Sequence, residues 1–413
     1  MGKIHLAYST FGLTNLDFCA ALDAVDAAGY EGVEVSFHRR QFNPFELGDQ
    51  DLLAVRRHFA RLRTQPACVA TASHFFDPQR PHEPSLMALE YAARKRRIDL
   101  VKRGIHVARM LGVKLVTFGS GFVRDDHAAH PETNPTELLV DSIRECLGAI
   151  HAEEDITLLI EPEPGMHIET LAQGLALMQA VDSPKFKLHI DICHAYCSEA
   201  NYIEALADAA PHARYLHISD ARQGWNLQIC HDSELLRFDL AHASTLVHFP
   251  DTADFLLVDP AHAIHFADGQ PTPARQRRIA ALLQQAGTSA PLHTVDYASL
   301  PTARGPLDDE IFTYLISVPG LSYDVLERAR PAIAWLRGAQ GQPLVDRMVA
   351  HTRTGIVHFH EVPGEGTLDF AASFKALSDH GFDGWGAIEL YHHVDGWQAA
   401  LHASHRHLAP LLA

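Results

Sequence analysis

Carboxylate and imidazole side chains lie at the ends of several short apolar segments of this 413-residue chain. A polar group within an apolar segment is costly to bury unless it is paired, and a divalent cation can satisfy several such groups at once. Carboxylates together with one or two imidazoles suit Mn²⁺, Mg²⁺, Co²⁺, Fe²⁺ or Zn²⁺. The residues concerned are His74, Glu161, Glu163, Asp191, His194, His217, Asp220 and Glu389.

The segments that must position these side chains alternate between strand-like and helix-like patterns. Seven strand-like segments end by residue 220 and an eighth covers 385–391, with helical spacing between most of them. Continuous apolar strands joined by helices predict a parallel sheet, and eight such units predict a (β/α)8 TIM barrel. Such a barrel carries its active site at the carboxyl ends of its strands, where the polar residues lie. An open doubly wound sheet is the alternative, although no GxGxxG motif follows the first strand.

Residues 222–354 do not fit this repeat, because a barrel needs only a short loop and a helix between its last two strands. The stretch has structure-forming patterns of its own, including helical spacing at 274–287 and 324–338. We therefore expect a large inserted α/β subdomain after the seventh strand, with 1–221 and 355–413 forming the barrel. An insertion at this end of a barrel suits a lid over the active site, and a dimerisation arm in a homo-oligomer is the alternative.

The composition argues against several classes of partner and location. Basic residues number 34 and acidic residues 51, so the formal net charge of −17 makes nucleic acid an unlikely partner. No apolar run approaches the roughly 18 residues that a membrane helix needs. The amino-terminal segment lacks the pattern of a signal peptide. Six cysteines without a CxxC pair favour a reducing compartment, so we expect a cytoplasmic protein that does not bind membranes.

Four motifs, in this order, resemble those of the xylose isomerase-like barrels. This family includes sugar and sugar-phosphate isomerases and epimerases, hydroxypyruvate isomerases, dehydroshikimate dehydratases and endonuclease IV. The motifs are IEPEPG, HIDICHAY, LHISDAR and GEGTLDF with GFDGWGAIELY, and they cover about 1–221 and 355–413. The resemblance implies one metal ion shared by residues from strands five to eight. These correspond to Glu161, Asp191, His217 and Glu389.

The resemblance leaves the source of the seventh strand open. The segment GIVHFHEVPGEG at 355–366 could replace RYLHISD, which would make His360 the ligand in place of His217. We favour His217, because its distance along the chain from Asp191 leaves room for one helix. The residues expected beside the substrate are His74, Glu163, His194, Asp220 and His360.

The resemblance implies a metal-dependent isomerase or epimerase of a sugar or related polyhydroxy carbonyl compound, with Mn²⁺ favoured. The metal would stabilise an enediolate, while Glu161 and Glu389 act as acid and base at the reacting carbon. One alternative is a dehydratase or lyase that expels a β-hydroxyl group from the same enediolate. Another is an endonuclease IV-like phosphodiester hydrolase with further ligands such as His38, His74 and His106. The third is a non-catalytic binding protein.

Several of these side chains also have simpler interpretations. Glu161 and Asp191 could be structural carboxylates that cap the helices after them. His189 and His358 are expected to face the surrounding helices rather than the site.

Overall fold

The computed structural model describes most of the first half of the chain and its carboxyl-terminal end. The described residues are 2–71, 74–76, 82–123, 125–223, 227–231, 234–237, 244–248, 255–258, 263–267, 271–289, 291–296, 356–391 and 393–412. The chain forms two compact units, one made of Met1–Arg222 with Phe359–Ala413 and the other of Gln223–His358. In the described residues, no helix has the length and apolar character that crossing a membrane requires.

The first unit begins with seven strands that are separated by helices. The strands are β1 (Ile4–Ser9), β2 (Gly32–Ser36), β3 (Gln65–Ala70), β4 (Leu115–Gly119), β5 (Thr157–Glu161), β6 (Phe186–Asp191) and β7 (Ala213–Ile218). The helices are α1 (Phe18–Ala27), α2 (Asp49–Phe59), α3 (Tyr91–Leu111), α4 (Asp125–Ala129), α5 (Pro135–Leu147), α6 (Leu171–Val181), α7 (Ile192–Ser198) and α8 (Tyr202–Ala209). Short 3-10 helices cover Thr10–Leu13 and Ala210–His212.

In its described residues, the second unit contains a mixed sheet of six strands. After β8 (Asp220–Gln223), these are β9 (Leu227–His231), β10 (Glu234–Arg237), β11 (Ser244–His248), β12 (Phe255–Val258), β13 (Ala263–Ala267) and β14 (Leu292–Asp296). Their order in the sheet is β10-β9-β11-β12-β13-β14. Helix α9 (Pro273–Ala286) packs Ile279 against Leu256 of β12 and confirms the helical prediction at 274–287. The helix predicted at 324–338 lies outside the described residues.

The chain then returns to the first unit and completes the barrel. It passes through β15 (Ile356–Glu361), α10 (Phe370–Asp379), β16 (Gly384–Ile388) and α11 (Trp397–Leu408), with 3-10 helices at Val394–Gly396 and Ala409–Leu411. Eight parallel strands close in the order β1-β16-β7-β6-β5-β4-β3-β2, which confirms the predicted (β/α)8 barrel. The seventh barrel strand is β7, which carries His217. The segment with His360 forms β15, which pairs with β8 outside the barrel.

Alternation along the strands decides which side chains enter the barrel. On β5, Leu158 and Ile160 belong to the large apolar core that includes the helices. Leu159 belongs to a smaller cluster made of strand residues alone, which fills the barrel interior. Successive side chains of a strand point to opposite faces. Glu161, two residues after Leu159, therefore faces the barrel interior.

The Asp220 carboxylate holds the loop through which the chain re-enters the barrel. Its Oδ1 accepts hydrogen bonds from the backbone N–H groups of Ala221 at 2.8 Å and Leu368 at 3.0 Å. Its Oδ2 accepts from Gly364 at 2.9 Å and Gly366 at 3.0 Å. A Cβ atom on Gly366 would lie 2.3 Å from Asp220 Oδ1 and from the Ala221 carbonyl oxygen. The observed partners of Asp220 are backbone groups, and its contact with a substrate stays a prediction.

Replacing Gly366 with alanine should destabilise the protein, because the added methyl group must push the loop away from Asp220. We expect the free energy of unfolding to fall by about 2–4 kcal/mol, from overpacking and lost hydrogen bonds to a buried carboxylate. Urea denaturation followed by circular dichroism measures the change. Gly148→Ala is the matched control, since Gly148 has ordinary helical angles and a Cβ there would have its nearest neighbour at 3.4 Å. Equal stability of the two variants would contradict this role of Asp220.

Candidate metal centre

Among the described residues, four carboxylates and two imidazoles point into the barrel near the carboxyl ends of five strands. The alternation that turns Glu161 inward on β5 also turns His189 and Asp191 inward on β6. Asp191 and His217 are partners in the register of β6 and β7. The six side chains are Glu34, Glu161, His189, Asp191, His217 and Glu389. The four residues predicted as metal ligands are therefore brought to the same end of the barrel.

The His217 imidazole connects three carboxylates. Its Nδ1 lies 3.0 Å from Glu161 Oε1 and 3.5 Å from Glu389 Oε2. Its Nε2 lies 2.8 Å from Glu34 Oε2. Glu34 is not among the predicted site residues, although GVEVS places it two residues from both Gly32 and Ser36, on the inward face of β2. The imidazole is thus held by carboxylates at both of its nitrogens.

Asp191 uses its two carboxylate oxygens differently. Its Oδ1 accepts hydrogen bonds from the backbone N–H groups of Cys193 at 2.7 Å and His194 at 3.1 Å, and so caps α7. Its Oδ2 is buried without a hydrogen-bond partner in the described part of the chain. This oxygen lies 3.6 Å from Nε2 of His194 and 3.8 Å from Nε2 of His360. Capping and metal binding are therefore compatible, since each can use a different oxygen.

The imidazoles of His194 and His360 face each other beside Asp191. Each donates a hydrogen bond of 3.1 Å from Nδ1 to a backbone carbonyl, that of Pro162 and that of Glu389 respectively. Burial lowers the pKa of His194 to about 4 and that of His360 to about 3, so both rings are neutral near pH 7. Their Nε2 atoms, which are then both acceptors, lie 3.1 Å apart. A cation stabilises such an arrangement, as it would the buried oxygen of Asp191.

The expectation that His189 faces the helices is wrong. Its Nδ1 lies 2.8 Å from the Thr117 hydroxyl and 3.4 Å from Glu161 Oε2. Its ring centroid is 4.1 Å from that of His217. The physical reason is the period of two along a strand, which puts residues 189 and 191 on the same face. The side chain of His358 lies outside the described residues.

Burial changes the protonation of the carboxyl groups around His217. It raises the pKa of Glu161 to about 7 against the opposing effect of His217, and it raises that of Glu163 to about 7 as well. The pKa of Glu389 is also raised well above its ordinary value by burial. Burial alone would lower the pKa of His217, but Glu34, Glu389 and Glu161 hold it well above its ordinary value. The centre therefore retains protons near neutral pH, and these must leave when a cation binds.

Three groups of described residues have ligand atoms close enough together to hold a metal ion. In each group the atoms lie within 4.8 Å of one another. The groups are Glu161–His189–His217, Asp191–His194–His360 and Glu34–His217–Glu389. Glu161 and Glu389 are each grouped with His217, whereas Asp191 is grouped with His194 and His360. Oxygens and imidazole nitrogens of this kind suit a divalent ion such as Mn²⁺ or Zn²⁺. The residues present therefore fit such an ion.

An aromatic wall borders this centre. The rings of Phe11 and Tyr391 stack with centroids 5.5 Å apart, and the ring of Tyr391 lies 4.9 Å from that of His360. His74 lies in the loop after β3, which ends at Ala70, and its ring is 6.0 Å from Phe11 and 6.4 Å from Tyr391. Neither Phe11 nor Tyr391 is predicted as a site residue. Nothing local in the sequence distinguishes them from core aromatics.

Two other candidates make ion-pair contacts with residues outside the cluster around His217. Glu163 follows β5, and its Oε2 lies 3.6 Å from Nε2 of His82. His106, considered as a ligand for a multi-metal site, lies on α3 and pairs with Asp49 of α2 at 2.8 Å. That contact between two helices does not bring His106 to the interior of the barrel.

A family model described as xylose isomerase-like TIM barrel matches residues 22–233, more than half of the chain. The chain belongs to the xylose isomerase-like TIM barrel family. No curated protein matches it. Solved structures with a similar fold include the IolI protein with a bound zinc atom, with a TM-score of 0.55 and 13% identity over 99% of this chain and 98% of that one.

Two further structures of similar fold are xylose isomerase domain proteins. The one from Alicyclobacillus acidocaldarius subsp. acidocaldarius has a TM-score of 0.52 and 13% identity over 99% of this chain and 98% of that chain. The one from Planctomyces limnophilus has a TM-score of 0.53 and 13% identity over 99% and 97%. At 13% identity the similarity to these structures establishes the xylose isomerase-like fold alone. The chemistry has to be inferred from the side chains of this protein.

Replacing Asp191 with asparagine should separate metal binding from helix capping. The amide oxygen can still cap α7, while the second oxygen is replaced by a donor that cannot bind a cation. We expect the affinity for Mn²⁺ or Zn²⁺ to fall by more than about 100-fold, beyond the effect of losing an outer-shell partner. Asp191→Ala should lose the same affinity and about 1 kcal/mol of stability in addition. Calorimetric titration and urea denaturation measure the two effects, and wild-type affinity in Asp191→Asn would remove Asp191 from the ligand set.

Metal affinity should rise with pH through neutrality. Burial raises the pKa of Glu161 to about 7, so below that pH a proton occupies a predicted ligand and must be displaced. We expect at least a loss of about tenfold in affinity for each pH unit below 7. Titration calorimetry in buffers of different ionisation enthalpy counts the protons released. An affinity that is constant from about pH 6 to 8, without proton release, would be the contrary result.

Proposed function

We propose that the protein is a divalent-metal-dependent isomerase or epimerase of a sugar or a related polyhydroxy carbonyl compound. The observation that carries the proposal is the approach of Glu161 and Glu389 to one atom, Nδ1 of His217, at 3.0 and 3.5 Å. Two carboxyl groups that converge on one point can act on a single substrate carbon between them. Membership of the xylose isomerase-like family supports this chemistry.

Glu161, Asp191, His217 and Glu389 would hold the metal ion, for which Mn²⁺ is favoured. When bound, the ion supplies a Lewis acid that polarises the substrate carbonyl group. The Oδ2 atom of Asp191, which is buried without a hydrogen-bond partner in the described part of the chain, supports a cation at this place. The zinc atom in the IolI structure is consistent with a divalent metal on this fold.

Glu161 and Glu389 would move the proton. One carboxylate removes a proton from the carbon next to the carbonyl group, and the other carboxyl group returns a proton. Return to the former carbonyl carbon, with the proton of the adjacent hydroxyl passing to the former carbonyl oxygen, gives an isomer. Return to the opposite face of the same carbon gives an epimer. A pKa of about 7 for Glu161 in the metal-free protein supports this role, since acid–base catalysis is most efficient near the working pH.

The surroundings of the centre favour a small polar substrate. His194, His360 and Glu163 offer hydrogen-bonding groups for hydroxyls, and Phe11 with Tyr391 offers an apolar surface for the carbon chain. A few polar groups beside aromatic rings are typical of a small-molecule site. The contacts of His74 and Asp220 with substrate, and a lid role for the second unit, stay predictions.

Proton exchange tests the proposal directly. Chelator-treated protein is reloaded with Mn²⁺, Co²⁺, Mg²⁺ or Zn²⁺ and incubated with a panel of free and phosphorylated aldoses and ketoses in D₂O. We expect NMR to detect deuterium at the carbon next to the carbonyl group, with a new isomer, only in metal-loaded samples. Loss of water from the substrate would favour the dehydratase alternative, and cleavage of a phosphodiester the hydrolase. No exchange with any metal would contradict the proposal.

Glu161→Gln and Glu389→Gln should each lower kcat by about 10²–10⁴-fold at saturating metal, because a carboxamide neither removes nor returns the proton. The substrate found in the exchange assay serves for the measurement. Glu145→Gln is the matched control, since Glu145 on α5 forms an ion pair of 2.8 Å with Lys102 outside the barrel. Wild-type turnover in either of the first two variants would exclude that residue as an acid or base.

A further inference from the structure

Glu34 is a fully buried carboxylate on β2, with 0% of its surface exposed. Its Oε2 accepts a hydrogen bond of 2.8 Å from Nε2 of His217. Burying a carboxylate is costly, so its retention inside a barrel calls for a compensating interaction. We propose that Glu34 is a positioning residue that fixes the orientation of His217 and directs its Nδ1 at the metal ion. This inference rests on the proposed metal centre.

The two nitrogens of His217 have different partners. Nε2 donates to Glu34, whereas Nδ1 faces Glu161 and Glu389, which are both predicted ligands. A neutral imidazole binds a metal ion through the nitrogen that carries no proton. By holding the proton on Nε2, Glu34 leaves Nδ1 as the ligand atom. Carboxylate–histidine–metal arrangements of this kind orient the ring and raise the basicity of the ligand.

In the observed orientation of the His217 ring, both nitrogens have carboxylate partners. The ring of His189 meets that of His217 edge to face, with centroids 4.1 Å apart and an angle of 82° between the planes. Turning the His217 ring over would put carbon atoms where Nδ1 and Nε2 now meet carboxylates. Glu34 would then be buried without its hydrogen bond to His217, which would cost substantial folding free energy. The contact therefore selects one of the two ring orientations.

Direct ligation of the metal by Glu34 is the competing role. Glu34 does belong to one of the three groups whose atoms could hold an ion. Its contact with His217, however, is made at Nε2, whereas Glu161 and Glu389 approach Nδ1. An ion held by Nδ1 would therefore use the other nitrogen of the ring from the one that Glu34 contacts. This geometry assigns Glu34 to the support of His217.

The experiment compares Glu34→Ala and Glu34→Gln with a matched pair of controls, Glu31→Ala and Glu31→Gln. Glu31 lies immediately before β2 and makes a carboxylate–imidazole contact of similar length, 2.7 Å, with Nδ1 of His5 at the other end of the barrel. The controls reproduce the charge change without touching the centre. Two readouts are used: the affinity and visible absorption of bound Co²⁺, and the ring N–H signals of ¹⁵N-labelled Zn²⁺-loaded protein. The His217 signal is identified by its loss in His217→Gln.

We expect Glu34→Ala to weaken Co²⁺ binding by about 10–100-fold, the usual effect of losing an outer-shell partner. Glu34→Gln should weaken it by up to about tenfold, because the amide oxygen still accepts the hydrogen bond from Nε2. The Nε2–H signal of His217 should be sharp in wild type, shifted in Glu34→Gln and lost to exchange with water in Glu34→Ala. Neither Glu31 variant should change either readout. If Glu34→Ala does not fold, Glu34→Gln is compared with Glu31→Gln by the same two readouts.

Wild-type Co²⁺ affinity and an unchanged Nε2–H signal in the Glu34 variants that fold would overturn the positioning role while leaving the proposed function intact. Weaker binding with an unchanged Nε2–H signal and an altered Co²⁺ absorption would identify Glu34 as a ligand, which also overturns it. A wild-type protein that binds no Co²⁺ or Zn²⁺ would overturn the proposed function together with this inference.

Discussion

The burial of carboxylates beside imidazoles at the carboxyl ends of the barrel strands is the constraint on which the rest of the site depends. A charged group removed from water costs several kcal/mol unless it is paired. His217 lies between Glu34 on one side and Glu161 with Glu389 on the other, so one imidazole serves three carboxyl groups. One carboxylate oxygen of Asp191 caps α7, and the other lies near the imidazoles of His194 and His360. A divalent cation is the group that would compensate the remaining charge of this assembly.

Much of the barrel and the main polar residues could be predicted from the sequence, because their signals are local. A strand buried on both faces is a continuous apolar run, and a polar residue at its end is conspicuous. TLLIE and FKLHID show this pattern on β5 and β6, and they bring Glu161 and Asp191 to one rim of the barrel. Closure of the barrel follows from counting eight such units, and the structure confirms it.

The parts that could not be predicted depend on contacts between distant segments. Glu34 stands in GVEVS as an ordinary position of a short strand, and its partner His217 is 183 residues away along the chain. The four hydrogen bonds to Asp220 include three from the loop at 364–368, beyond the second unit. The six-stranded sheet of that unit pairs strands out of sequence order, which local patterns do not specify. His189 is different, because the period of two alone places it beside Asp191.

The position of a bound metal ion tests the central claim most directly. Crystals of the Zn²⁺-loaded protein, measured on both sides of the zinc absorption edge, locate the ion without reference to a substrate. The predicted result is one anomalous peak within bonding distance of Glu161, Asp191, Glu389 and Nδ1 of His217, at roughly 2.0–2.2 Å from each ligand atom. A peak bound by His194 and His360, with His217 still bonded to Glu161, would contradict the proposed ligand set. The absence of any peak in the barrel would contradict the metal centre itself.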